Sequence, residues 1–273
     1  MTDDWLQIAD DFATCWNLPR AIGALDGRRI TMNKPKNSGL LYRNYKGTFS
    51  IVLLAVVDAR YRFLYIDVGC NGRISDGGVF NRSTLAQAIN DNSLNIPQPR
   101  DLPGTDVQCP FYFVADDAFK LSESLMKPYP FRNMSKPERI YNYRISRGRR
   151  IVENAFGILA QRFRFLQANL ALQPTTVQTL TLAACALHNF LRSRTTYMHS
   201  VDIDREDPVT HVVHEAQWRQ APSNMRNVSS QIGARTRHTD NAKDIRQCLR
   251  DYFSSPAGAV PWQDQMIHNS VTT

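Results

Sequence analysis

The chain has 273 residues, 42% hydrophobic and 21% charged, with Lys+Arg 33 against Asp+Glu 25 and a formal charge of +8. That composition excludes a fibre, a wholly disordered chain and a disulfide scaffold, and no apolar run reaches the ~18 residues of a membrane span. The five cysteines are scattered without a CxxC pair, so zinc-finger spacing is absent, and the acidic opening MTDDWLQ does not read as a secretory leader.

In chain order, Trp5, Ile8, Phe12 and Cys15 recur at helical spacing over residues 3–15, and Pro19 ends that helix. AIGALDGRRI reads as an apolar strand in which Asp26 is the last residue before a turn glycine. After a polar loop at 31–47, Phe49–Val57 and Arg62–Val68 form a hairpin about an Asp58–Tyr61 turn; near-continuous apolarity in the first run predicts cover on both faces. VFNRSTLAQAIN predicts a helix with Phe80, Leu85 and Ile89 inward, and a Pro-rich connection at 96–110 leads to the strand FYFVADDAF, which also ends in an acid. A loop at 120–137 precedes a long helix over Asn142–Phe165, and a final, buried helix is expected over Thr175–Leu191. The order β, ββ, α, β, α, α indicates a mixed α/β layer fold. A lead-in helix thus occupies 1–20 and the α/β domain 21–192; in the tail at 193–273, residues up to about 240 are expected to be flexible and 242–253 to form a docking helix.

The excess charge lies in the body, because residues from Ser193 onward carry nine basic and nine acidic side chains. Of the six histidines only His188 lies before the tail, in LHNF on an apolar helix, where it reads as a hydrogen-bonded core residue. A body with one histidine and no paired cysteines points to carboxylates for any chemistry. Asp26 and Asp116 each close a strand, and Glu153 flanks the apolar stripe of the long helix. If the two strands are neighbours, the three acids can meet at one sheet edge, where they would repel each other unless a cation holds them. Oxygen ligands of that kind suit Mg²⁺ or Mn²⁺, and two ions about 3.5–4 Å apart can activate a nucleophile and stabilise the leaving oxygen of a phosphodiester. The same residues also have plainer readings: an Asp before Gly is commonly a turn residue, and Glu153 can simply pair with Arg149. Between Pro137 and Arg164 stand seven arginines against two acids, a solvated face or a phosphate-binding one, with Arg144, Arg147, Arg149 and Arg150 as candidate phosphate contacts.

IGALDG, YKGTFSIVLLAVVDARYRFLYIDVGCNGRISDGGVF, FVADDAFKL, YNYRISRGRRIVENAFGILAQRFRF and CALHNFL, spread over about residues 5–192, resemble the DDE transposases of the PIF/Harbinger group and their domesticated nuclease relatives. The resemblance implies an RNase H-like fold and a metal-dependent DNA endonuclease or strand transferase, with Asp26, Asp116 and Glu153 as the metal-binding triad. Asp117 adjoins Asp116, leaving a one-residue choice, and Asp76 in GRISDGG matches a recurrent family aspartate, read here as a site-edge residue. Where the family commonly has a histidine after the first Asp-Gly, this chain has Arg28-Arg29. Relatives carry a helix-turn-helix-like segment ahead of the catalytic domain, whereas this sequence begins almost at that domain, so sequence-specific DNA binding by the chain itself is not expected; the resemblance also implies a Myb/SANT-like adaptor that would bring DNA specificity and nuclear import. Nuclear residence, or cytoplasmic without the adaptor, and a homo-oligomer accompany that expectation. A module binding DNA or a partner without catalysis is the alternative.

Overall fold

The computed structural model describes residues 2–194, 203–207, 209–220, 225–227 and 239–269. The apolar spacing around Ile8 and Phe12 forms α1 (Thr2–Trp16), which stops at Asn17 in left-handed backbone ahead of Pro19. β1 (Ala21–Met32) follows, then β2 (Phe49–Val57) and β3 (Phe63–Asn71). The hairpin turn is set by Asp58, whose Oδ1 accepts from the backbone N–H groups of Arg60 and Arg62 at 2.9 and 2.8 Å. Helices α2 (Asp76–Phe80) and α3 (Thr84–Asn90) stand where the sequence predicts one helix; Ser83, as N-cap of α3, breaks it.

A small ribbon, β4 (Arg100–Asp101) with β5 (Gln108–Cys109), leads to β6 (Tyr112–Val114) and β7 (Leu125–Met126). The 27-residue α4 (Lys136–Arg162) starts earlier than the apolar stripe predicts, because Ser135 and Glu138 form a capping box with Pro137 just inside it. A 3₁₀ turn (Arg164–Gln167) and α5 (Pro174–Arg194) follow. The last elements are β8 (Arg205–Glu206), β9 (Val213–His214), α6 (Gln217–Gln220), β10 (Met225–Asn227), α7 (Asp240–Ser254) and α8 (Gln263–Asn269).

The main sheet runs β3-β2-β1-β6-β7, antiparallel across β1, β2 and β3 and parallel across β1, β6 and β7. Side chains alternate between two cores as strand geometry requires. Leu53, Ala55 and Val57 join Val114 with Val152 and Phe156 of α4, while Val52, Leu54 and Val56 join Phe113 with Val79 and Leu85. α5 is not buried as expected: Thr181, Ala184, Cys185 and His188 face inward, whereas Leu180, Leu182, Leu187 and Phe190 are exposed. His188 and Asn189 explain LHNF, since His188 Nε2 meets the Tyr61 carbonyl at 2.7 Å and Asn189 pairs with both the N–H and C=O of Phe63 at 2.8 Å.

In the tail, where flexibility is expected up to about residue 240, the described residues pack against the body. Asp204 and Ala216 are buried against α4, β10 pairs antiparallel with β1, and the docking helix, extended to α7, seats Leu249 and Phe253 in the core. Residues 195–202, 208, 221–224 and 228–238 of that stretch lie outside the described residues. Among the described residues no helix is long and apolar enough to cross a membrane.

Candidate metal centre

One edge of β1 pairs with β2 throughout Ala24–Met32. Its other edge pairs with β6 at Ala21–Ala24 and with β10 at Arg28–Ile30, which leaves residues 25–27 between two partners. Asp26 lies in that gap. Asp116 stands two residues beyond the Ala24–Val114 pair, as Asp26 does on its own strand, so the parallel register carries both acids to the same place. Asp26 therefore sits within a long strand and not at its end, and Gly27 is a strand residue where a turn glycine was expected.

Gly27 has a different function there. A Cβ at position 27 would lie 2.1 Å from Asp76 Oδ1, so the bare backbone admits the Asp76 carboxylate against the strand. Asp76 opens α2, whose first turn presses on the loop after β6; a Cβ on Gly77 would lie 2.8 Å from the Ala118 carbonyl. Asp26, Asp76 and Asp116 each bring an oxygen within 4.8 Å of the others, among the described residues the one such group of acids, histidines or cysteines. Asp76, expected at the site's edge, is thus inside it, while exposed Asp117 is outside. The backbone N–H of Ala118 donates to Asp116 Oδ1 at 2.9 Å and fixes that side chain.

Burial is the main force on these acids. It pushes Asp26 above the usual carboxylate range, against the pull of Arg28 and Arg149. Asp116 rises to about 7 through burial and the charge of Asp26. Asp76 is raised well above the usual range, by burial and by both other aspartates. It is 1% exposed, and neither of its carboxylate oxygens has a hydrogen-bond partner. A buried carboxylate aimed at two others and left without donors is an arrangement of hard oxygen atoms that a cation such as Mg²⁺ or Mn²⁺ would fit.

Glu153, the third acid expected from the sequence, is close enough to raise Asp26 but lies outside the 4.8 Å group. Its Oε1 accepts from Arg149 and its Oε2 from Arg219, at 3.0 and 2.7 Å. The pairing of Glu153 with Arg149, one of the readings left open by the sequence, is therefore present. Burial would lower Arg149, yet Glu153, Asp26 and Asp116 together hold it above its ordinary value. The other candidate phosphate contacts are engaged internally. Arg144 is 1% exposed, donates to Gly258 O and Gln263 Oε1 at 3.1 Å and to Asn17 O, and lies 4.5 Å over the Phe253 ring. Arg147 and Arg150 both donate to Glu206, at 2.8 and 3.1 Å. Arg144 and Arg147, expected as phosphate contacts, are buried, because α4 is sandwiched between the sheet and the C-terminal helices.

Arg28 and Arg29, to which the sequence assigns no role, flank the cluster. Arg28 Nε lies 3.8 Å from Asp26 Oδ2, and Arg29 stacks 4.6 Å from the Tyr45 ring beside Asp76. Their signal, two consecutive arginines in a buried strand, is present in the sequence. Arg219 and Asp204 give none, because nothing in the tail's composition ties it to α4.

A DDE superfamily endonuclease family model matches residues 25–189, a span that contains all four acids. Two proteins called "Putative nuclease HARBI1" are similar: one from Xenopus laevis, 26% identical over 206 residues (74% of this chain, 54% of that protein), and one from Rattus norvegicus, 26% identical over 189 residues (67% and 49%). "Protein ALP1-like" of Arabidopsis thaliana is 26% identical over 194 residues, covering 68% of this chain and 46% of its own length. The chain thus spans about half the length of these curated relatives. No solved structure matches the chain significantly. With a mixed sheet, two parallel strands delivering acids to one gap and a helix carrying a third, the fold is RNase H-like, and the chain belongs to the DDE superfamily endonucleases.

Proposed function

We propose that the chain is a divalent-metal-dependent DNA endonuclease or strand transferase whose ion is held by Asp26, Asp76 and Asp116. The observation that carries this reading is the buried, unpartnered Asp76 carboxylate converging on two strand-borne aspartates. An Mg²⁺ or Mn²⁺ ion supplies Lewis-acid stabilisation of a phosphodiester oxygen and lowers the pKa of the attacking water or hydroxyl. The chain's own residues prepare for it. β1 and β6 set the spacing of Asp26 and Asp116, Gly27 makes room for Asp76, and Ala118 orients Asp116. Arg28 and Arg149 offset part of the negative charge on Asp26.

Phosphate attraction falls to side chains the fold leaves exposed. Lys34, Lys36, Arg43 and Lys46 lie in the loop between β1 and β2, whose Tyr45 covers Arg29, and Arg73 precedes Asp76. The relatives' names support nuclease chemistry, and a Myb/SANT-like adaptor, nuclear residence and self-association belong to the same proposal. The alternative, a DNA- or partner-binding module without catalysis, is favoured by one observation: Glu153 is fully engaged by two arginines.

Incubating supercoiled and linear duplex DNA with the protein in Mg²⁺, Mn²⁺ or EDTA separates the readings. Nicking that requires the ion and disappears in Asp26→Asn and Asp116→Asn is expected. Tight, salt-sensitive DNA binding with no nicking in any ion, with or without an adaptor, would establish the binding module instead.

A further inference from the structure

Residues 203–207 and 209–220 pack on α4, and their contacts converge on Glu153. Arg219, 66 residues beyond Glu153, donates through Nη2 to Glu153 Oε2 at 2.7 Å. It is held in that position by buried Asp204, which accepts from Arg219 Nε at 2.9 and 3.0 Å and from the Ala216 N–H at 2.9 Å. Asp204 is anchored in turn to α4, because its backbone N–H donates to Asn154 Oδ1 at 2.9 Å. Trp218 fills the space where Gly157 has no side chain; a Cβ there would lie 2.3 Å from Trp218 Cε2. Glu206 adds a second anchor through Arg147, Arg150 and His211, and the His211 ring stacks on Trp262 at 3.9 Å.

We propose that this segment is a strap that withholds Glu153 from the aspartate cluster, which makes Arg219 and Asp204 positioning residues of the same site. The inference rests on reading that cluster as the divalent-ion site. To ligate an ion, Glu153 must give up two charge-assisted hydrogen bonds, each stronger than a neutral one. Arg149, hydrogen-bonded to Glu153 at 3.0 Å, also feels the charges of Asp26 and Asp116, so its positive charge acts on the glutamate and the cluster together. An arriving ion therefore meets three aspartates, and Glu153 can turn toward them only once Arg219 lets go and Arg149 alone still holds it.

Mn²⁺ binding to the full chain, followed by the electron paramagnetic resonance signal of free Mn²⁺, tests this without any cleavage readout. Arg219→Gln, which leaves Glu153 tied to Arg149 alone and able to exchange that bond for the ion, should bind Mn²⁺ roughly tenfold more tightly, since affinity for hard cations follows the number of charged ligands. Glu153→Gln alone should stay within about twofold of wild type, because that side chain is not a ligand while strapped. The double variant should return to the wild-type affinity, and Arg219→Lys, which keeps the charge and a donor, should stay near it. No gain in Arg219→Gln overturns the strap. So does a gain that survives in the double variant, which would be simple removal of a positive charge. Asp204→Asn, which loosens Arg219, is read in the same way should Arg219→Gln not fold. If wild type and every variant fail to bind Mn²⁺, the cluster itself is misread and the strap falls with it; binding that ignores Arg219 overturns the strap alone.

Discussion

Adding one methyl group at position 27 puts a carbon 2.1 Å from a carboxylate oxygen in a strand with no room to yield. Gly27→Ala should therefore displace Asp76 and reduce Mn²⁺ affinity tenfold or more, as measured by titration; the strand itself accepts alanine. Asp76→Asn should have two opposite effects. At a pH high enough to ionise the cluster it removes one of three mutually repelling buried charges, so the metal-free thermal midpoint should rise there, while the midpoint gain on adding Mn²⁺ should vanish. A midpoint that still responds to Mn²⁺ in Asp76→Asn would remove Asp76 from the ligand set. Asp116 makes a pH prediction. Its carboxyl is raised from 3.8 to about 7, so between those values the folded chain holds a proton that the unfolded chain has released. The corresponding stability is present below about pH 4 and disappears as pH rises through 7. Unfolding in EDTA should show a decline over that window which Asp116→Asn flattens; parallel profiles for the two proteins would contradict the assignment.

At the scale of elements, the arginine-rich helix is legible in the sequence and its purpose is not. Seven arginines on one segment read equally as a phosphate face or as internal ties, and the choice depends on what packs over α4. Arg144 decides it, because Asn17, Gly258 and Gln263 close around its guanidinium from distant parts of the chain. Arg144→Leu should destabilise the fold by about 2–4 kcal/mol by stranding buried acceptors, yet leave the salt dependence of DNA binding unchanged. A drop in DNA affinity at intact stability would restore it as a phosphate contact. The strands and the hairpin follow from apolar runs and turn residues, which are local signals, whereas the placement of Asp26 beside Asp116 depends on the pairing of β1 with β6, which the sequence leaves conditional. The sequence underestimates Asp76 since its role depends on a glycine 49 positions away admitting it, a contact no spacing rule encodes. α5 reads as buried because its outward Leu180, Leu187 and Phe190 are as apolar as its inward face, and composition alone cannot separate the two.

Across the whole molecule, charge and order divide differently from expectation. The excess of positive charge belongs to the body, but the neutral tail supplies acids that neutralise body arginines, as Glu206 does for Arg147 and Arg150. DNA affinity should accordingly depend on the exposed loop cations. Replacing Lys34, Lys36, Arg43 and Lys46 by Ala should weaken binding for every sequence and reduce the slope of log K against log salt by roughly 0.9 for each phosphate no longer neutralised; an unchanged slope would place the DNA elsewhere. The contact between Trp218 and Gly157 has an optical consequence. Trp218 is one of four tryptophans, wedged on a bare helix backbone with the Arg219 guanidinium 4.6 Å over its ring. With Trp5, Trp16 and Trp262 replaced by Phe, its emission would shift to the red when water reaches the indole, so the protein's own fluorescence would report segment 203–220 leaving α4 in real time, without a label.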